Sequence, residues 1–452
     1  MSAPGSDAGA PRQAGAGATR SSEPAGPRRA DELCFRVERV DEQTVEAARV
    51  LAYAGGRVIE RDGRSLYTWG EAARITLPLG TADAKAVGEV AGRLRAIRPL
   101  DGTAATGAPG PVRPGPIALG ALAFDPDDWS ELVVPRFAVI ADGDGRRVVA
   151  VGGRDDLEVA MRSFPFVGEP PRRRPAEAPD RFELSSVRSH EDFRRRVKQA
   201  IEVVRSGRLD KVVMAREVLA TANRPFRQEH LLERLRALHP SCCAFAVDGF
   251  VGASPELLVR RRGLEVVSQP LAGTVARSGD PDEDRHLAAM LLASEKERAE
   301  HRVVVEAILA GLGPLCAALD APEAPRLLGL RNVAHLATQV RGSLAAAGAP
   351  SALELAAALH PTPAVGGWPR DEALDYLRKS EELDRGRYAG PVGFVDADGD
   401  GEWWIGIRSA LVEGRSARLF AGVGLVAGSD PSAELAETQL KLQAMLAAAV
   451  RP

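Results

Sequence analysis

The stretch from Ser254 to His301 constrains this chain more than any other. It opens with Ser254-Pro255-Glu256, runs through Gln269-Pro270-Leu271-Ala272-Gly273-Thr274, and closes with Ser294-Glu295-Lys296-Glu297-Arg298-Ala299-Glu300-His301. A carboxylate stands at a predicted strand start and a Gly-Thr pair at a turn. Two further carboxylates, Glu297 and Glu300, lie three residues apart on one helix face. A closing helix predicted over Glu434 to Leu446 repeats the spacing with Glu434 and Glu437.

Local patterns place the flanking elements. Ser189-His190-Glu191-Asp192 has the form of a capping box, and Phe193, Val197, Ile201 and Val204 follow as a helical stripe that stops at Gly207. Lys211 to Leu219 alternates as a strand with Lys211, Val213 and Ala215 on one face. Further strands are predicted over Cys242–Val247, Glu256–Arg261 and Leu264–Ser268, and one or two helices over Glu283–Leu312. A helix over Ala352–Leu359 leads into a rigid loop from His360 to Gly367. Glu402–Leu411 and Ala417–Val426 read as a hairpin across Glu413-Gly414, with Trp404, Gly406, Arg408 and Ala410 sharing a face. Val333 to Arg341, which holds His335, fits no single element.

The N-terminal half is less marked. Helices are expected over Val45–Tyr53 and Ala82–Ile97, a buried strand over Ile117–Phe124, and a hairpin turn at Asp142-Gly143-Asp144-Gly145. Thr103–Pro116 and Phe166–Pro179 are read as loops. Residues 1–30, rich in Ala, Gly, Pro, Ser and Arg, are expected to be disordered.

A net charge of −3 over 452 residues gives no long-range pull toward nucleic acid. Cys34, Cys242, Cys243 and Cys316 suit neither a disulfide framework nor a zinc site and are expected as core thiols. No apolar run is long enough to span a membrane and no apolar leader is evident, so a cytoplasmic location is expected. Nothing calls for an obligate protein partner, and a monomer is expected. The phosphate-binding and nucleophile-elbow motifs of nicotinamide, ATP and serine-hydrolase enzymes are absent.

What remains is chemistry carried by carboxylates and cations. Mg²⁺ takes one or two carboxylates, water and an anionic substrate, so two Glu-x-x-Glu helices are a candidate set; one alone would be an ordinary solvated face. Arg408 among apolar residues needs an anion, from the protein or a ligand. Lys211 and Glu256 each lead an apolar strand. Burial would lower the lysine's pKa and raise the glutamate's, which suits a general base and a general acid, although each is also compatible with a structural role. Gly273-Thr274 and Gly422-Val423-Gly424 let backbone N–H groups approach an anion, or are plain turns.

Taken together, the motifs resemble one family, the chorismate-utilising enzymes, and within it the isochorismate synthases. The resemblance runs from about Ser189 to the C-terminus. It rests on Leu209-Asp210-Lys211-Val212-Val213, Gly252 to Glu256, Pro270 to Thr274, Lys296 to His301, His335-Leu336-Ala337-Thr338, His360 to Gly367, Arg385 to Gly390, Ile407 to Ala410, Ala421 to Gly424 and Ala436-Glu437-Thr438. It implies an α+β fold of large, mainly antiparallel sheets stacked as a sandwich with helices outside. Residues 31–180 would be the N-terminal part of that fold and 181–452 the chorismate-binding catalytic domain.

The resemblance also implies chorismate as substrate, Mg²⁺ as cofactor and isochorismate as product, for menaquinone or a catechol siderophore. By matching motif positions, Lys211 is the implied general base and Glu256 the general acid. Glu300 and Glu437 are implied metal ligands, with Glu297 and Glu434 beside them. Tyr388, Arg408, Gly422 and Gly424 would hold the pyruvyl carboxylate, and Gly273, Thr274, His335 and Lys441 are further implied substrate contacts. Ala272 stands where some relatives carry a covalent lysine. Lys211 stands where ammonia-using relatives usually have Gln. Ala364 stands where relatives that go on to salicylate usually have Thr, which favours stopping at isochorismate. A salicylate synthase and a non-catalytic chorismate-binding protein remain the alternatives.

Overall fold

The computed structural model describes residues 32–61, 63–78, 84–100, 115–162 and 177–450. The expected tail, nearly all of the loop predicted at 103–116, and positions 166–176 of the later connection lie outside the described residues.

Helix starts follow their caps. Ser189 accepts from the Asp192 N–H at 3.1 Å and opens helix His190–Arg205. Ser351 and Glu354 form a reciprocal capping box at the start of Ala352–Leu359. The segment read as one or two helices is two, Pro281–Ala293 and Glu295–Leu312. Ser294 ends the first, and its hydroxyl caps the second by accepting from the Glu297 N–H. Helices Gln228–Leu238 and Arg370–Ser380 were not anticipated. Both start without a side-chain cap, so the strongest local start signal is missing from them.

Among the described residues the strands form three sheets, of thirteen, nine and three strands. The largest runs from Phe182–Ser186 through Lys211–Ala222, Ser416–Leu425, Ser409–Glu413, Phe250–Ser254 and Cys243–Val247. It continues into N-terminal strands Arg57–Arg61, Arg64–Trp69, Phe137–Asp142, Gly145–Gly152, Cys34–Arg39 and Arg98–Pro99. The nine-stranded sheet includes Glu265–Gln269, Leu257–Arg262, Gly401–Ile405, Pro391–Asp396 and Ile117–Ala121. Leu271–Ala276, Val333–Ala337 and Arg326–Gly329 make the third. The pairings are antiparallel except that of Cys34–Arg39 with Arg98–Pro99. Both halves of the chain therefore build the same two large sheets.

The core between these sheets holds Phe245, Phe250, Trp403 and Trp404. On the other face of the thirteen-stranded sheet, helices Glu42–Tyr53, Gln228–Leu238 and Pro431–Ala449 bury Ala48, Leu232, Leu235, Leu442 and Met445 against Val251, Ala410 and Leu419. Burial of this kind stabilises at about 25 cal/mol per Å² of apolar surface removed from water. The four cysteines carry no disulfide. No helix among the described residues is long and apolar enough to cross a membrane.

One predicted element is wrong. Glu402–Leu411 is not a single strand: Gly401–Ile405 belongs to the nine-stranded sheet and Ser409–Glu413 to the thirteen-stranded one. Trp404, Gly406, Arg408 and Ala410 consequently share no face, and Arg408 is not mid-strand. The chain crosses between sheets at Gly406-Ile407-Arg408, where Arg408 adopts φ +52°. A Cβ at Gly406 would lie 2.8 Å from the Phe250 ring, so only glycine lets the chain cross so close to the core.

Candidate active site

Two further crossings complete the frame of the site. Pro255 and Glu256 carry the chain from Phe250–Ser254 in the large sheet to Leu257–Arg262 in the nine-stranded one; the strand thus starts one residue after Glu256. Pro270 carries it from Glu265–Gln269 into the third sheet. The first crossing lies beside that of Arg408: the Ile405 N–H donates to the Glu256 carbonyl at 3.0 Å, and the Ala253 N–H to the Arg408 carbonyl at 3.1 Å. Where the sheets part, a cleft of about 920 Å³ opens, its solvent-filled mouth included. Its walls include Lys211, Glu256, Gly273, Thr274, Glu297, Glu300, His335, Ala364, Tyr388, Arg408, Gly422, Gly424, Glu434, Glu437 and Lys441. These are all of the candidate residues read from the sequence.

Glu256 is 3% exposed, and burial pushes its carboxyl up to about 7, against an N–H from Leu271 and the fields of Lys211 and Lys441. Near neutrality it holds a proton on a substantial fraction of molecules. Across the cleft, Lys211 is 2% exposed, and its Nζ stands 2.7 Å from Glu300 Oε1. Burial opposes ionisation of Glu300, but Lys211, with Lys441 and Lys296 behind it, outweighs burial and holds the carboxyl below its usual range.

Arg408 and His335 form the anion-facing end. Arg408 is 6% exposed, and its Nη1 has no hydrogen-bond partner. Its Nη2 lies 3.2 Å from His335 Nε2. A guanidinium only donates, so Nε2 accepts and the imidazole proton sits on Nδ1, 3.3 Å from the Gly273 carbonyl. Burial, then the Arg408 charge, hold His335 well below the usual histidine range, so it stays neutral. Tyr388 stacks on Phe420 with ring centroids 5.0 Å apart, and burial raises its hydroxyl to about 12. Lys441 Nζ donates to the Gly422 carbonyl at 3.0 Å and pairs with Glu437 at 2.8 Å. A buried, incompletely paired guanidinium flanked by an amine and a phenol is built to receive a carboxylate.

The four glutamates suit a hard divalent cation by donor type, and all four line the one cleft. Burial raises Glu297, with Glu300 and Glu437 adding to the effect. Burial likewise pushes Glu434 up to about 7, with Glu437 and Glu300 adding and Ser429 opposing. Carboxylates from two helices thus repel one another across the cleft, as a set meant for a cation does. They are not gathered into a ligand shell, however: no three acidic, histidine or cysteine side chains among the described residues stand close enough together to hold a metal.

The cleft also contains residues that stand in the quoted motifs but to which the sequence assigned no role. Arg385, 4% exposed, donates to Glu381, Val213 O and Val365 O. With Glu381, which accepts the Ala215 N–H at 2.6 Å, it closes one edge of the Lys211 strand between the stretches paired with Gly367–Trp368 and Phe182–Ser186; the other edge pairs with Ser416–Leu425. The Glu381/Arg385 spacing of four on adjoining helix and turn was the available signal. Lys296 lines the mouth, about half exposed.

Gly424 gives the clearest steric test. A Cβ there would lie 2.8 Å from both Glu300 Oε1 and Lys211 Cε. Gly424→Ala is expected to retain the native circular dichroism spectrum and lose at least about tenfold in kcat/KM, since a displacement of about 1 Å near reacting groups costs on that scale or more. Unchanged kinetics would mean that the Lys211–Glu300 pair tolerates being pushed apart.

Comparison with known proteins places this geometry in context. A family model described as chorismate binding enzyme matches residues 101–450. The salicylate biosynthesis isochorismate synthase of Pseudomonas aeruginosa is 41% identical over 359 residues, 73% of this chain and 74% of that protein. Isochorismate synthase DhbC of Bacillus subtilis is 43% identical over 278 residues, 59% of this chain and 70% of that protein. The crystal structure of DhbC from Bacillus anthracis superposes with a TM-score of 0.75 at 34% identity, covering 90% of this chain and 99% of that one.

Proposed function

The chain belongs to the chorismate-binding enzymes, and from that premise we propose that it is a Mg²⁺-dependent isochorismate synthase. The observation that carries the reading is the placement of Lys211 and the proton-holding Glu256 on the walls of one cleft, beside the unpaired Nη1 of Arg408. Arg408, Tyr388 and Lys441 take a substrate carboxylate, and Gly273, Thr274 and His335 shape the opposite wall. Lys211, acting as the neutral amine, accepts a proton from water as the water oxygen bonds to C2 of chorismate. The ring double bonds shift from C1–C2 and C5–C6 to C1–C6 and C4–C5, and the C4–O bond breaks. Glu256 gives its proton to the departing oxygen. One water is added and one is lost, so the reaction is an isomerisation. Glu300 and Glu437, with Glu297 and Glu434 beside them, are the residues that would hold Mg²⁺, which when bound neutralises a substrate carboxylate.

A second reading, in which pyruvate elimination follows and salicylate is the product, is prompted by the salicylate biosynthesis named for the P. aeruginosa relative, although that name calls the relative itself an isochorismate synthase. Against it, Ala364 brings only a methyl group to the cleft wall. Chromatography of purified protein with chorismate and Mg²⁺, with and without ammonium, separates the readings. Isochorismate alone, abolished by chelator, is the expected outcome. Salicylate with pyruvate would install the second reading, anthranilate would remove water as the nucleophile, and no turnover would leave a binding protein.

The pH profile follows from Glu256. Its proton must be present for it to act as an acid, and it leaves as pH rises through about 7. A fall of kcat/KM on the alkaline side, with a midpoint near that value in the free enzyme, is expected. A profile flat from about pH 6 to 9 would assign the proton to another donor.

A further inference from the structure

Arg385 lines the cleft, yet its guanidinium is engaged by the protein. Nε and Nη2 donate to the two oxygens of Glu381 at 2.7 and 2.6 Å. Nη1 donates to the Val365 carbonyl at 2.8 Å, and Nη2 also to the Val213 carbonyl at 2.6 Å. The guanidinium carbon lies over the Phe124 ring, 4.1 Å from its centroid. Glu381 Oε1 in turn accepts the Ala215 N–H. Both residues are buried. Arg408, by contrast, keeps Nη1 without a partner. One arginine is open to a ligand; the other holds the frame around it.

The contacts of Arg385 reach three walls of the cleft. Val213 follows Lys211 by two residues on one strand, so their side chains share a face. Val365 follows Ala364 in the loop whose Gly366 carbonyl accepts the Val213 N–H at 2.9 Å. The Tyr388 N–H donates to the Arg385 carbonyl at 2.8 Å, so the turn that carries Tyr388 starts at Arg385 itself. A planar guanidinium fork meets acceptors in three fixed directions at once, which an ammonium of equal charge does not. We infer that Glu381 and Arg385 are a positioning pair, which fixes the Lys211 amine relative to Tyr388 and the Ala364 loop without itself holding substrate. The inference rests on the proposed role of Lys211 as the base. Base and carboxylate-holding wall then form one unit, and a shift between them slows the chemical step more than it weakens binding.

The test is steady-state kinetics of Arg385→Lys with chorismate and Mg²⁺, alongside circular dichroism and thermal unfolding. The variant keeps a buried positive charge beside Glu381 and is expected to fold. Its kcat is expected to fall at least about tenfold, with KM within about threefold of wild type. The alkaline midpoint of kcat/KM is expected to stay near that of wild type, because neither burial of Glu256 nor the charges acting on it involve the pair. Guanidinium ion, added to Arg385→Ala at a non-denaturing concentration, is expected to restore part of the lost kcat, and sodium chloride at equal ionic strength is not. Glu381→Gln keeps an acceptor for Ala215 but removes the anion that orients the guanidinium. It is expected to lower kcat in the same way, and it carries the test should Arg385→Lys fold poorly.

A kcat within about twofold of wild type in the folded variants would overturn the positioning role. So would a rise in KM alone, which would make Arg385 a substrate contact, or a rate loss that only follows the folded fraction. Each of these leaves the wild-type reaction standing. Absence of turnover by the wild type would overturn the proposed function, and this inference with it.

Discussion

Glu256→Gln is expected to abolish most turnover and, at the same time, to stabilise the protein. In the proposed mechanism Glu256 protonates the C4 oxygen, which an amide cannot do, and loss of a positioned general acid costs about 10²–10⁴-fold in kcat. The stability gain has the opposite origin. Folded Glu256 titrates at about 7, above the ordinary glutamate value of 4.5. Between those values the folded state binds more protons than the unfolded one, so its stability falls as pH rises through that window. Above it, the buried carboxylate costs roughly 3 kcal/mol that a neutral amide does not incur. Denaturant unfolding at pH 8 to 9 should therefore show the variant more stable than wild type, with the two converging near pH 4. A variant less stable than wild type at pH 9 would mean that its carboxylate has a partner in solution that the fold does not show.

Lys211→Ala is the second large effect. If Lys211 is the base, as proposed, its removal is expected to lower kcat by about 10²–10⁴-fold, with a much smaller change in KM, because the end of the cleft proposed to hold the carboxylate, at Arg408, is untouched. Glu300 loses its 2.7 Å partner, and a buried carboxylate without a partner takes up a proton. Rapid-quench measurement of isochorismate formation, paired with chorismate binding by calorimetry, separates the two parameters. Retention of more than about a tenth of wild-type kcat would exclude Lys211 as the base.

Both effects depend on residues whose importance is partly legible from local sequence. Helix starts at Ser189 and Ser351, the alternation from Lys211, and the Glu-x-x-Glu faces are set by neighbours three or four positions away, so one segment suffices to read them. Motif order carried the sandwich fold and the set of residues that converge on the cleft. The N-terminal strands were nearly silent, because they are short and pair with partners far along the chain: Ile59 lies opposite Phe245 and Gly393 opposite Gly120.

The sequence by itself determined the chemical inventory: a lysine, a lone glutamate, four paired glutamates and an arginine that needs an anion. Tertiary structure alone decided what these groups are to one another. It split the predicted Glu402–Leu411 strand at Arg408, because Gly406 lets the chain cross between sheets beside Phe250. It gave Glu300 to Lys211, and it raised Glu256 by taking it out of water. Charge pairing and desolvation depend on distance in space, and in a sheet of antiparallel pairings that distance is fixed by register between remote segments, which no single stretch of sequence contains.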